Sequence, residues 1–83
     1  MRVIVIEDDA DAAAFVKGVL SEAGHAVDVC GDGESGLNKA RTGEYDALVV
    51  DRMLPGMDGL KLLKSYRDAG GRGSVFTRGR HRR

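Results

Sequence analysis

Val3-Ile4-Val5-Ile6-Glu7-Asp8-Asp9, near the start of the chain, is the stretch that decides the fold. Four consecutive β-branched residues are typical of a strand that is buried on both faces, as in a parallel sheet. The run stops at three acids, so this strand is predicted to end with carboxylates at one edge of the sheet. The rest of the chain has to supply the helices and strands that bury it.

The segment after this strand has the pattern of an amphipathic helix. A helix is predicted over residues 10–23, whose apolar positions recur at the i, i+3, i+4 spacing of a buried face: Ala12, Phe15, Val16, Val19, Leu20 and Ala23. Asp9 or Asp11 is expected to cap its start. Gly24 fits its C-terminal stop.

The same alternation of strand and helix continues to residue 69. Strands are predicted over residues 26–30 and 47–50, the second closed by Asp51, and helices over residues 34–42 and 59–69. Asp58 is the expected cap of the last helix, with Leu60, Leu63 and Tyr66 facing inward. The order β-α-β-α-β-α with short connections predicts an α/β fold, a parallel sheet with helices on both faces.

Composition limits the classes of protein to which the chain can belong. With 83 residues, 42% hydrophobic and 31% charged, it has the size and balance of one small globular domain. No apolar run approaches the roughly 20 residues that span a membrane. The single cysteine, Cys30, excludes an internal disulfide and suits a reducing compartment, so a cytoplasmic location is expected.

Charge and glycine content divide the chain into residues 1–69 and a Gly/Arg-rich tail, residues 70–83. The tail holds five arginines and no acid, whereas the first 69 residues hold 8 basic and 13 acidic residues. Gly70-Gly71-Arg72-Gly73 is predicted to be a flexible hinge. Basic tails of this kind also contact polyanions, which leaves a weak contact with nucleic acid as one alternative function.

The acids that follow the first and third strands are the candidate functional groups. Parallel strands direct their carboxyl ends to one edge. If the first and third strands are neighbours, the acids Glu7, Asp8, Asp9 and Asp51 would meet there. Clustered carboxylates repel one another, and Mg²⁺, which prefers oxygen ligands, would remove that cost. Asp51 could also act as a nucleophile towards phosphorus. An acid after a strand is often only a helix cap or a turn residue. For Asp8 and Asp51 this structural role and the functional role both stay open, while Asp9 and Asp11 fit the structural role better.

Residues 1–69 resemble the receiver domain of bacterial response regulators, most closely the winged-helix transcription-factor class. Residues 3–9 resemble the first strand and acidic cluster of that family. Leu48-Val49-Val50-Asp51-Arg52-Met53-Leu54-Pro55-Gly56-Met57-Asp58-Gly59 resembles its phosphorylation strand and the following loop, and the spacing between the two stretches also fits. The resemblance implies a flavodoxin-like (CheY-like) fold and a signalling module of a two-component system rather than an enzyme.

The resemblance also implies a role for individual positions. Asp51 would be the phosphoacceptor, with a histidine kinase or a small phosphodonor as its source. The implied Mg²⁺ ligands are the carboxylates of Asp8 and Asp51, the backbone carbonyl of Met53 and, through water, Glu7. The residues implied to shape the loop after the acceptor are Pro55, Gly56 and Gly59.

The chain departs from the family pattern after residue 69. A full receiver continues with a fourth strand ending in Ser or Thr and a fifth ending in Lys, both of which contact the phosphoryl group. Ser74-Val75-Phe76-Thr77 resembles a shortened fourth strand, which would make Thr77 that hydroxyl. The matching lysine and a DNA-binding output domain are absent from the 83 residues, and whether the tail is a native end or a frameshift product stays open.

Three expectations follow from that departure. The sheet is expected to be incomplete, with the third strand exposing an open edge through which copies self-associate. Phosphorylation of Asp51 is expected to be impaired. The alternative is a fragment that is not phosphorylated and that competes for a kinase or a full-length regulator.

Overall fold

The computed structural model describes residues 1–54 and 56–78. Its elements are β1 (Arg2–Ile6), α1 (Ala10–Glu22), β2 (Ala26–Cys30), α2 (Gly33–Thr42), β3 (Ala47–Asp51), β4 (Met53–Leu54), β5 (Met57–Asp58), α3 (Gly59–Asp68) and β6 (Ser74–Arg78). The predicted strands and helices up to residue 69 are therefore present, with ends that differ by at most one residue.

The main sheet is parallel and has the strand order β2-β1-β3-β6. From β1 the chain passes to β2 on one side and then to β3 on the other, so the direction of winding reverses between β1 and β3. Such a switch point opens a crevice at the carboxyl ends of the two strands. β4 and β5 form a separate antiparallel pair, directly after Asp51.

Two apolar clusters bury the sheet, one on each face. On one face Val3 and Val5 pack with Val16 and Leu20 of α1. On the other face, the larger cluster joins the strands to α2 and α3 through Ile4, Ile6, Ala40, Tyr45, Leu48, Val50, Leu54, Leu62 and Tyr66. β1 is buried on both sides, as its β-branched run predicts, because successive side chains of a strand alternate between faces.

Aspartates cap the helices that bracket the carboxyl edge. Asp9, not Asp11, caps α1: its Oδ1 accepts hydrogen bonds from the backbone N–H groups of Asp11 and Ala12 at 3.0 and 3.1 Å. Asp58 caps α3 by accepting from Leu60 N at 2.7 Å, as predicted. Each cap satisfies backbone donors that have no partner within the helix.

The predicted inward faces of two helices are partly wrong. Phe15 and Val19 are 72% and 52% exposed, because Ala13, Val16 and Leu20 face the sheet and the other two residues lie on the flank of α1. Leu60 is 49% exposed, and Leu62 takes the buried position beside Tyr66. An apolar stripe wider than the contact leaves its flank exposed unless another element covers it.

The start of the tail is ordered by packing, so the expectation of a flexible hinge at residues 70–73 is wrong. Tyr66, which is buried, accepts a hydrogen bond at its hydroxyl from Gly73 N at 2.8 Å. A Cβ on Gly71 would lie 2.3 Å from the Tyr66 ring, so only glycine allows this close approach. The connection leads directly into β6.

β6 also corrects the expectation of an open edge on β3. All five residues of β6 pair with β3, from Ala47 opposite Ser74 to Asp51 opposite Arg78. The trace of strand character at residues 74–77 was therefore enough to form a strand, because β3 offers a complete row of backbone partners. Within residues 1–54 and 56–78 the two edges of the main sheet are therefore β2 and β6.

Candidate phosphoacceptor site

Glu7, Asp8 and Asp51 come together at the carboxyl ends of β1 and β3, where the strand order reverses. One carboxylate oxygen from each lies within 4.8 Å of the others. Glu7 and Asp51 are 2% and 1% exposed, whereas Asp8 faces solvent. These are three of the four acids that the sequence predicted to meet; the fourth, Asp9, caps α1.

Asp51 is held by the backbone of the segment that follows it. Met53 N donates a hydrogen bond of 3.0 Å to Asp51 Oδ1, which fixes the carboxylate against the start of the loop. Gly59 N donates to Arg52 O at 3.0 Å and closes the loop from β3 to α3. A Cβ on Gly59 would lie 2.7 Å from Arg52 Cα and 2.9 Å from Asp51 O, so this closure requires glycine.

Gly56 lies in a turn directly before β5. Gly56 has a φ of +75°, a conformation that L side chains rarely adopt, which agrees with the predicted role of this glycine in shaping the loop. The corresponding prediction for Pro55 lies outside the described residues. Met53 contacts the acidic cluster through its backbone N–H, which donates to Asp51. That its backbone carbonyl binds the metal stays a prediction.

Burial and the neighbouring charges shift the pKa of Glu7. Burial raises the pKa of its carboxyl group, and the neighbouring Asp51 raises it further. The backbone N–H of Asp9, which donates to Glu7 Oε2 at 3.1 Å, and the Arg78 guanidinium both act in the opposite direction. A buried carboxylate beside a second one is stabilised by a cation, so the cluster has the electrostatic character of a cation site.

The three carboxylates fit Mg²⁺. Its bonds to oxygen are about 2.1 Å, so two direct ligands lie at most about 4.2 Å apart. A group within 4.8 Å takes up such an ion after a small movement of its side chains, or with one carboxylate bound through water. The donor set, oxygen atoms alone, is the kind that Mg²⁺ prefers.

Arg78 is the member of the site that the sequence prediction missed. It pairs with Asp51 in the sheet register, and its Nη1 donates a hydrogen bond to Glu7 Oε1. Thr77, the predicted hydroxyl, is instead level with Val50 and exposed. The sequence had indicated a strand only as far as Thr77, and extending that strand by one residue places Arg78 at the same edge as Asp51.

A family model for the response regulator receiver domain matches residues 3–79. The chain belongs to this family. Among curated proteins it is 41% identical over 70 residues to the transcriptional regulatory protein DltR of Streptococcus agalactiae and 41% identical over 69 residues to HprR of Escherichia coli. These matches cover 84% and 83% of this chain, and the chain spans 31% of each relative's length.

Solved receiver domains have the same fold. The receiver domain of the Francisella response regulator 1452 superposes with a TM-score of 0.89 at 35% identity, over 94% of this chain and 64% of the other. TrrA of Thermotoga maritima, solved in complex with Mg²⁺ and BeF, gives 0.91 at 26% identity, over 96% of this chain and 70% of TrrA. The predicted CheY-like parallel sheet with helices on both faces is therefore confirmed, as is membership of the two-component response regulators.

No helix within residues 1–54 and 56–78 has the length and apolar character needed to cross a bilayer. Of the five tail arginines, Arg72 and Arg78 are described, and Arg80, Arg82 and Arg83 lie outside the described residues. The alternative of nucleic-acid contact through the tail stays a prediction.

Proposed function

We propose that this chain accepts a phosphoryl group on Asp51 in the presence of Mg²⁺, as a receiver module of a two-component system. The observation that carries the proposal is the meeting of buried Asp51 with Glu7 and Asp8 at the switch point between β1 and β3. A phosphohistidine on a kinase, or a small acyl phosphate, is the proposed donor. The names of the relatives, which are transcriptional regulatory proteins, support this assignment, and the proposed location is the cytoplasm.

The chemistry follows from how Asp51 is held. One of its carboxylate oxygens attacks phosphorus, so an O–P bond forms while the bond from phosphorus to the donor's nitrogen or oxygen breaks, and the leaving group retains that electron pair. The hydrogen bond from Met53 N keeps the carboxylate oriented for in-line attack. Asp8 and Asp51, with Glu7 nearby, would hold Mg²⁺, which would neutralise charge on the transferring group.

Burial supports Asp51 rather than Asp8 as the acceptor. Asp51 is 1% exposed and fixed at the end of β3, whereas Asp8 is exposed at the start of the β1–α1 connection. A fixed nucleophile loses little freedom on reaching the transition state, and an exposed acid is better suited to adapt its position as a metal ligand. The proposed division of roles therefore makes Asp51 both ligand and acceptor, and Asp8 a ligand.

The test is treatment with acetyl phosphate and Mg²⁺ followed by intact mass measurement. The wild type should gain one phosphoryl group, and Asp51→Asn should gain none. Asp68→Asn is the matched control, because Asp68 is an exposed partner of Lys64 on α3. A folded wild-type protein that binds Mg²⁺ but gains no mass would support the alternative, a fragment that binds a kinase or regulator without being phosphorylated.

We also propose that the 83-residue chain self-associates through β6. Its outer edge has no strand partner in the described part of the chain, and Phe76 on this strand is 59% exposed. An exposed strand edge with apolar side chains pairs readily with a second copy. Sedimentation at micromolar concentration should show a dimer that Phe76→Lys weakens and that Leu60→Lys, at a similarly exposed position on α3, leaves intact. A compact wild-type monomer would contradict this proposal.

A further inference from the structure

Arg78 is a cation built into the acidic cluster. Its Nη1 donates to Glu7 Oε1, and the Glu7 side chain is 1% exposed. A buried carboxylate costs free energy unless it is paired, so this contact supplies the positive charge that the cluster needs when no metal ion is bound. The same Glu7 carboxylate is one of the three groups that would face Mg²⁺.

The backbone of Arg78 is fixed, whereas its side chain has room to move. Arg78 pairs with Asp51 across β6 and β3, and its carbonyl accepts a hydrogen bond of 3.0 Å from Arg52 N. Its side chain is 44% exposed and lies at the rim of the cluster. The guanidinium can therefore leave Glu7 for solvent without any change in the sheet.

We propose that Arg78 is an internal counterion that competes with Mg²⁺ for the carboxylate cluster and so weakens the affinity of this chain for the metal. The inference rests on the proposed function in taking Mg²⁺ as the ligand. Two cations close together on the same carboxylates repel each other, and both cannot hold Glu7 at full strength. Binding of Mg²⁺ is thus coupled to release of the Arg78–Glu7 contact.

The first test compares Mg²⁺ affinities by isothermal titration calorimetry. Arg78→Gln should bind Mg²⁺ about five-fold more tightly than the wild type, a factor that corresponds to a partly exposed ion pair. Arg72→Gln is the control: Arg72 is an exposed arginine in the segment between α3 and β6, and its loss changes net charge equally. The control should stay within about two-fold of the wild type, as expected for a remote charge that salt screens.

The results separate this inference from the proposed function. Equal Mg²⁺ affinities of the wild type and Arg78→Gln overturn the competition and leave the metal site standing. An equal gain in Arg78→Gln and Arg72→Gln also overturns it, because net charge alone would then explain the effect. Absence of Mg²⁺ binding to both the wild type and Arg78→Gln overturns the competition and the proposed metal site together.

A second measurement uses the wild type alone and does not depend on whether a variant folds. In NMR spectra, the side-chain Nε–Hε signal of Arg78 should move during a Mg²⁺ titration in step with the backbone amide of Met53, while that of Arg72 stays in place. Movement of both Arg78 and Met53 with one midpoint supports the competition. A Met53 amide that titrates while the Arg78 signal does not move overturns it.

Discussion

Gly36 and Gly18 offer a matched pair of substitutions that tests the packing of α2 on the sheet beneath the site. A Cβ on Gly36 would lie 2.7–2.8 Å from three carbons of the Ile6 side chain, whereas a Cβ on Gly18 would meet nothing within 4 Å. Both glycines lie inside helices. The two substitutions to alanine therefore change the helix propensity equally, and their effects on stability differ only through packing.

The magnitude follows from these distances. Alanine in a helix interior is favoured over glycine by about 0.5–1 kcal/mol, so Gly18→Ala should raise the free energy of unfolding by that amount. At Gly36 the distance between the new methyl group and the Ile6 side chain has to increase by roughly 0.8 Å to reach a normal carbon–carbon separation. Ile6 is 0% exposed and cannot move into solvent. Overpacking of this kind costs about 1–3 kcal/mol, so after the propensity gain Gly36→Ala should lower the free energy of unfolding by up to about 2.5 kcal/mol.

Urea unfolding followed by far-UV circular dichroism measures both variants. Gly36→Ala should shift the midpoint to lower urea concentration and Gly18→Ala to higher concentration, with the same slope as the wild type. In thermal unfolding, each 1 kcal/mol corresponds to about 4–8 °C for a domain of this size. If Gly36→Ala stabilised the protein as much as Gly18→Ala, the contact between α2 and β1 would not be as described.

Three further predictions concern the loop, the core and a buried hydroxyl. Gly59→Ala should lower Mg²⁺ affinity and destabilise the protein by about 1–3 kcal/mol, because the methyl group meets backbone atoms of Asp51 and Arg52; unchanged metal titration would argue against that closure. Tyr66→Phe should cost about 1–3 kcal/mol by leaving the buried Gly73 N–H without its partner, and wild-type stability in urea would contradict this. Burial, and then a hydrogen bond to Asp28, raise the pKa of Tyr45 to about 12 from 10, so its contribution to stability is complete below pH 10 and is lost as the pH rises towards 12. Absorbance at 295 nm should show that Tyr45 loses its proton at high pH, and Asp28→Asn should move this titration to lower pH. A titration curve that is the same in the wild type and Asp28→Asn would contradict the effect of Asp28.

The sequence predicted the parts of the fold that depend on local pattern. The β-branched run in β1, the apolar run of β3 and the capping position of Asp58 are each readable from neighbours along the chain. The meeting of Glu7, Asp8 and Asp51 followed from one further rule, that parallel strands end at a common edge. Those inferences needed no knowledge of distant contacts.

The errors arose where a distant contact decides the outcome. Residues 74–77 resemble a shortened strand, but only the pairing with β3 closes the edge that was expected to be open and carries β6 on to Arg78. Gly71 looked like part of a hinge, whereas the Tyr66 ring packs against it. Phe15 satisfied the helical spacing, yet only one flank of that stripe meets the sheet, and so it stays exposed.

Arg78 illustrates the same limit at the site. From the sequence it belongs with the tail arginines, and its position became clear only when the register of β6 placed it opposite Asp51. Arg78 is the next residue along β6 after Thr77, for which the family resemblance implied a contact with the phosphoryl group. Side chains at the end of a strand change their surroundings completely with such a step.

The most direct test of the central claim is to locate the phosphoryl group on the chain. After treatment with acetyl phosphate and Mg²⁺, borohydride reduces an aspartyl phosphate to homoserine, and peptide mass spectrometry identifies the converted position. The proposed function predicts conversion at Asp51 alone, and none when Mg²⁺ is removed by a chelator. Conversion at Asp8 in place of Asp51, or no converted residue in a folded protein that binds Mg²⁺, would contradict it.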